Sequence, residues 1–253
     1  KEIGSSNPKI SFFLKSTTLP IKRLGAYPPL IKFLGSLGLA RKTLGTGYVQ
    51  IHSLSFDGAW EQLKRIEQNS NLALLSGKVE LRKVNWDFPF LKLHRINGYF
   101  KLNKGMGNIR IEEAWCKGFP KVVFTGTIQD VFGHPQGDLK AEGYLPLKKM
   151  KTFFTHDLPY LGFQGILDQF EEISGGGPLH IHLTGAMENI ESLSIEGQYA
   201  FREGRLKSKN SSQKLKNITG RIEFKHPRHK SIKNDNVNTS SWAIRFADFS
   251  GEF

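Results

Sequence analysis

Gly77-Lys-Val-Glu-Leu-Arg82, continued by Leu93-His-Arg-Ile-Asn-Gly-Tyr-Phe-Lys-Leu102, is written a second time about 120 residues further on. The second version reads Gly197-Gln-Tyr-Ala-Phe-Arg202, then Leu215-Lys-Asn-Ile-Thr-Gly-Arg-Ile-Glu-Phe224. The match extends outward on both sides. Upstream, Gly47-Tyr-Val-Gln-Ile-His52 faces Gly177-Pro-Leu-His-Ile-His182, and downstream Ile109-Arg-Ile111 faces Ile244-Arg-Phe246. A long fixed period is the mark of a repeated supersecondary unit, so the chain reads as an array with no single central active site. The period divides it into a lead-in strand and helix over 1–44, a first repeat over 45–150 and a second over 151–253. The second is cut off as it enters its last matching strand, and with Lys1 at the start this predicts a piece of a longer protein.

Within each copy the apolar residues alternate. The two-residue period is clear at Val79-Leu81, Ile96-Gly98-Phe100-Leu102, Val122-Phe124-Gly126-Ile128 and Leu139-Ala141-Gly143-Leu145. It returns at Leu179-Ile181-Leu183, Leu193-Ile195-Gly197-Tyr199-Phe201 and Ile218-Gly220-Ile222-Phe224. One apolar and one polar face per segment is the pattern of half-buried antiparallel strands. Helical signal is limited to Pro28–Leu37, Ala59–Glu67 and Gly165–Ile173, the last stopped by Gly175-Gly-Gly177. The expected fold is therefore mainly β: a repeated antiparallel meander forming a curved, groove-like sheet with a few short helices. Gly98, Gly126, Gly143 and Gly220 all fall in the apolar register, where strand glycines mark bends or close approach. They admit two readings: room for a covering helix, or a concave apolar side with space for a ligand.

The net charge of +13 is segregated. Residues 157–196 carry seven acids and no Lys or Arg, whereas 202–233 carry eleven Lys or Arg against Glu203 and Glu223. The basic segment is either a solvated edge or a surface for a polyanion. In it, Lys207, Lys209, Lys214, Lys216, Arg228 and Lys230 are the candidates for an anionic headgroup or surface. Stacking platforms are scarce, with Phe201 and Phe224 at its margins, which argues against nucleic acid.

Catalytic patterns are missing. His180-Ile-His182 puts two rings on one strand face, as a metal site would need, yet Leu179, Ile181 and Leu183 hold the buried register and leave the histidines on the wet side. Gly35–Thr43 departs from a phosphate loop, lacking a glycine directly before Lys42. Asp157, Asp168, Glu171 and Glu172 offer carboxylates without a partner nucleophile, and Glu171 and Glu172 read as the exposed side of a helix. Asn210, Asn217 and Asn238 head glycosylation triplets of the kind that Ser- and Asn-rich loops produce by chance. No cofactor or metal is expected. Cys116 is alone, so no internal disulfide forms, and no apolar run reaches the roughly 18 residues needed to span a bilayer.

Three consecutive stretches, Leu179–Gly185, Leu193–Leu206 and Leu215–Phe224, resemble the C-terminal region of the AsmA-like family of Gram-negative envelope proteins. Through the internal repeat the likeness extends over roughly residues 45–250. The motif is glycine plus alternation, without the family's N-terminal anchor helix and with a basic segment foreign to its pattern. The resemblance implies a bridge-like lipid carrier, periplasmic and anchored in the inner membrane by a segment outside this chain. Its curved groove would conduct phospholipid acyl chains between inner and outer membranes, with envelope proteins at either end. The positions matching the inward lining are Ile96, Phe100, Leu102, Phe124, Ile128, Ile195, Tyr199, Phe201, Ile222 and Phe224. Two other classes stay open: an assembly scaffold whose concave face is filled by protein, and polyanion binding through 202–233.

Overall fold

A computed structural model describes residues 7–24, 45–65, 71, 74–87, 92–116, 119–130, 134–152, 169–187, 193–210, 214–226 and 243–252. Twelve strands dominate: β1 (Lys9–Leu14), β2 (Thr18–Pro20), β3 (Tyr48–Ala59), β4 (Leu75–Asp87), β5 (Lys92–Asn103) and β6 (Met106–Cys116). They continue as β7 (Phe119–Gln129), β8 (Gln136–Pro146), β9 (Phe170–Ala186), β10 (Leu193–Ser208), β11 (Lys214–His226) and β12 (Ala243–Glu252). The described helices are three short ones, α1 (Ile21–Leu24), α2 (Trp60–Lys64) and α3 (Leu147–Thr152). The strands form one antiparallel meander in the order β1-β3-β4 through to β12, with β2 also on β3, and the sheet is not closed. Chain contacts divide it into two compact units. Residues 1–114, 124–139 and 186–190 make the first; 115–123, 140–185 and 191–253 make the second.

The repeat seen in the sequence is a repeat of register. In the first unit, Leu81 pairs with Gly98, Val79 with Phe100 and Gly77 with Leu102. In the second, Phe201 pairs with Gly220, Tyr199 with Ile222 and Gly197 with Phe224, position for position. Even the irregularities recur. Lys83 and its counterpart Glu203 have φ of 51° and 55°, and Arg95 and its counterpart Asn217 have 55° and 51°. Each sits where the ladder shifts register, so each is a bulge that bends its strand and sharpens the local twist.

The bulges correct one detail of the alignment. Gly47 (φ 126°) lies against Lys83–Val84, and the residue that lies against Glu203–Gly204 is Gly175 (φ 98°), not Gly177. Cross-strand partners agree, since Ile51 faces Val79 while Leu179 faces Tyr199. The upstream copies are thus offset by two residues from the sequence match. A slip of two preserves the inside-outside alternation, which is why periodicity alone could not detect it.

Among the expected helices, Ala59–Glu67 corresponds to α2, where the Gln62 side chain accepts from the Ala59 amide at 2.7 Å. Pro28–Leu37 lies outside the described residues. Gly165–Ile173 does not form as expected: 165–168 are outside the described residues, and Phe170–Ile173 begin β9, paired with Ser208, Lys207 and Leu206. The apparent stop signal Gly175-Gly-Gly177 lies inside that strand. Cross-strand pairing overrides the amphipathic pattern here because Glu171 and Glu172 find cationic partners on β10 and β11.

The four glycines in the apolar register do not open onto free space. A Cβ at Gly98 would stand 2.3 Å from the Arg110 carbonyl oxygen, and one at Gly126 2.1 Å from that of Asp138. At Gly143 the nearest atom is the Lys121 carbonyl at 3.0 Å, and at Gly220 the Phe249 ring at 3.0 Å. Gly98, Gly126 and Gly143 allow close approach of the neighbouring strand's backbone, and Gly220 leaves room for the Phe249 ring.

Candidate functional site

The inward face of the second unit is built in rows across strands. Ile181, Gly197, Phe224 and Ile244 form one row; Leu179, Tyr199, Ile222 and Phe246 form the next. Tyr199 anchors the second row. It is 2% exposed, and its hydroxyl donates to the Leu145 carbonyl at 2.8 Å, reaching past β9 to β8. Strands two apart in a flat sheet are separated by about 9.6 Å, so this bond requires the sheet to curl inward here. Burial, reinforced by the nearby Tyr144 hydroxyl, pushes the Tyr199 phenol well above its usual pKa, so it stays a neutral donor.

The ten expected lining residues all lie in the inward register, but they divide by exposure. Ile96, Leu102, Tyr199, Phe201, Ile222 and Phe224 are buried core. Phe100, Phe124 and Ile128 in the first unit and Ile195 in the second keep partial access to solvent. To these the structure adds Phe246 and Phe249 on β12, 53% and 48% exposed, with Phe249 packed edge-on to both Phe201 and Phe246. The repeat match reaches Phe246, the counterpart of Ile111, and stops short of Phe249; neither was among the expected lining residues.

Part of the basic segment is engaged within the second unit. Lys207 pairs with Glu171 at 2.9 Å, Lys214 with Glu172 at 3.0 Å and Lys225 with Glu196 at 3.2 Å. The hydrogen bond to Glu171 raises the Lys207 pKa. The acidic and basic stretches that look segregated along the chain are thus brought together by strand pairing. Lys209 and Lys216 are exposed, with no carboxylate paired to them among the described residues, while Arg228 and Lys230 lie outside those residues.

A cleft of about 540 Å³ crosses five strands of the second unit. Three consecutive residues of each strand line it: Lys140–Glu142, His180–His182, Glu196–Gln198, Glu223–Lys225 and Ala243–Arg245. Inward neighbours such as Leu179 and Tyr199 are not part of the lining. With alternating side chains, this places the cleft on the solvent-facing side, between two polar rows. His182 stands 3.2 Å from Glu196, and His180 3.7 Å from Glu142. Lys225 first, then His182, hold the Glu196 carboxyl below its ordinary pKa. Acid and base alternate across the cleft and largely neutralise one another. No three His, Cys, Asp or Glu side chains among the described residues converge as a metal would require. The polar alternation was legible in the sequence; the pairing across strands was not, because it depends on register.

No described helix is long and apolar enough to cross a membrane. No family model, curated protein or solved structure matches the chain.

Proposed function

We propose that this chain is a non-catalytic lipid-binding segment of an envelope protein, its inward sheet face holding phospholipid acyl chains in transit between inner and outer membranes. The anchor in the inner membrane would be supplied by a segment outside it. One observation carries the reading: on an unclosed sheet, inward apolar side chains remain reachable at Phe100, Phe124 and Ile128 in one unit and at Ile195, Phe246 and Phe249 in the other. Each acyl methylene withdrawn from water contributes about 0.8 kcal/mol, so such a face retains a chain without a specific contact. Weak specificity suits a conduit, since a tightly held lipid would not move on. Of the six candidates named for an anionic headgroup, Lys209 and Lys216 are the described ones outside any ion pair among the described residues.

The exposure pattern also dictates the test. Phe224→Asp would place a charge in packed core and unfold the unit, so it says nothing about lipid. Phe124→Asp and Ile195→Asp change half-exposed positions. Reading phospholipid in organic extracts of folded variants, checked by circular dichroism, should show at least half of it lost. Wild-type lipid content in both folded variants would remove the inward face from the account.

A second reading, strand addition as in an assembly scaffold, is favoured by the contrast between β6 and β12. β6 has a strand on each side, and its Ile111 and Ala114 are 3% and 0% exposed. β12 ends the strand order and leaves Phe246 and Phe249 half open. Unpaired edges of this kind accept a further extended strand. A synthetic peptide of residues 119–129, the strand that covers β6, serves as probe; saturable binding lost in Phe246→Lys would support this reading, and no binding would remove it.

A further inference from the structure

Lys78 on β4 and Lys101 on β5 are direct cross-strand partners. Like charges placed directly opposite one another destabilise a sheet, and a nearby acid would relieve them. Here none of the ion pairs among the described residues involves either lysine. Glu80, the nearest acid along β4, is taken by Arg82 at 2.7 Å and by His52 at 2.6 Å. The two ammonium groups instead converge on one ring: Lys78 Nζ lies 4.9 Å and Lys101 Nζ 5.4 Å from the centre of Tyr99. That shared platform holds both long side chains in one region, although a single aromatic ring cannot neutralise two charges.

The surroundings are donors. Lys78 also faces Ser53 on β3, and Ser76, one step along on the same face, faces Asn103 on β5. Glu80, the direct partner of Tyr99, shares this face, but its carboxylate is held by Arg82 and His52. The hydroxyls, the amide and the two ammonium groups beside it form an arrangement complementary to a compact oxyanion with several acceptor oxygens. Leu102 and Gly77, which alternate with these residues, point to the opposite side of the sheet. The patch is therefore on the side of the sheet away from the inward apolar face.

We propose that Lys78, Lys101 and Tyr99, with Ser53, Ser76 and Asn103 at the margin, form a binding site for a phosphomonoester-type anion on the solvent-facing side of β4 and β5. Free phosphate and a phosphomonoester lipid headgroup share that chemistry. The test is calorimetric titration of the whole chain with inorganic phosphate at low ionic strength, beside flotation with phosphatidic acid vesicles and with phosphatidylcholine vesicles. Lys78→Gln/Lys101→Gln should weaken the interaction about tenfold or more, the scale of losing charge-assisted hydrogen bonds. Lys92→Gln/Lys121→Gln, which removes two exposed lysines elsewhere, should leave it within about twofold. Tyr99→Leu keeps both charges and should weaken it measurably by freeing the two side chains. Dependence on Lys78 and Lys101 in the phosphate titration supports the site with a free anion as its source. The same dependence confined to phosphatidic acid vesicles supports it with a lipid headgroup as source. Equal losses in both double variants, or binding indifferent to Lys78 and Lys101 in folded protein, would overturn it.

Discussion

Gly98→Ala tests the close approach of β5 and β6 in the meander. The added methyl would sit 2.3 Å from the Arg110 carbonyl oxygen and 2.7 Å from the Ile111 Cα, about 1 Å inside van der Waals contact with backbone that has no rotamer to change. Relief requires β5 and β6 to part by about that distance, which stretches the ladder bonds on either side. Overpacking of this kind costs about 1–3 kcal/mol, against which the substitution returns about 0.5–1 kcal/mol of backbone entropy. A net loss of about 1–2 kcal/mol lowers the melting temperature by about 2–8 °C in a chain of this size. The repeat supplies an internal control. Gly220 holds the equivalent register position, but its nearest neighbours are the Phe249 and Phe201 rings at 3.0 and 3.1 Å, which can shift. Gly220→Ala should therefore change stability by less than about 1 kcal/mol. Thermal unfolding of both variants, followed by far-ultraviolet circular dichroism, reads the difference. Equal melting temperatures for Gly98→Ala and wild type would refute the close strand approach.

Other consequences are independent of that one. Hydrogen bonds from Arg82 and then His52 depress the Glu80 carboxyl from 4.5 to about 2. A folded-state pKa below the unfolded value contributes stability that is present above about pH 4.5 and lost as the pH falls towards 2. Glu80→Gln should flatten the acid side of the melting-temperature profile between pH 5 and pH 2.5; an unchanged slope would remove the Glu80 cluster from the acid response. Glu171→Gln/Glu172→Gln releases Lys207 and Lys214, both pairs lying at the surface, so stability should move by less than about 1 kcal/mol. The same variant should elute from heparin at higher salt than wild type, and identical elution would mean that the pairing does not mask the segment. Tyr199→Phe strands a buried carbonyl acceptor at Leu145 and should cost about 1–3 kcal/mol by urea unfolding, a loss absent if the hydroxyl bond is immaterial.

The meander and its repeat were readable because both rest on a two-residue period, which survives in the chain as alternation at Val79-Leu81 and Tyr199-Phe201. Pairing was not readable. A slip of two keeps every side chain on its own face, so alternation supports the match of Gly47 with Gly177, whereas the bulges at Lys83 and Glu203 place Gly175 at the equivalent position. The same blindness to register turned Glu171 and Glu172 into an exposed helix face. It also made 202–233 look like a free basic surface, when Lys207 and Lys214 answer those two acids across the ladder. Burial depth along the inward face was equally hidden, since alternation says that Phe124 and Phe224 point the same way and cannot say that only Phe224 is packed.

Lipid occupancy of the inward face is tested most directly by mass spectrometry of organic extracts from the purified chain, washed at high salt and compared with a soluble control protein. Phospholipid near one or more molecules per chain that survives the salt wash is the predicted result. Lipid stripped by salt would locate the interaction at exposed cations such as Lys209 and Lys216, and no lipid above the control would contradict the lipid-carrying account and leave strand addition at β12 in its place.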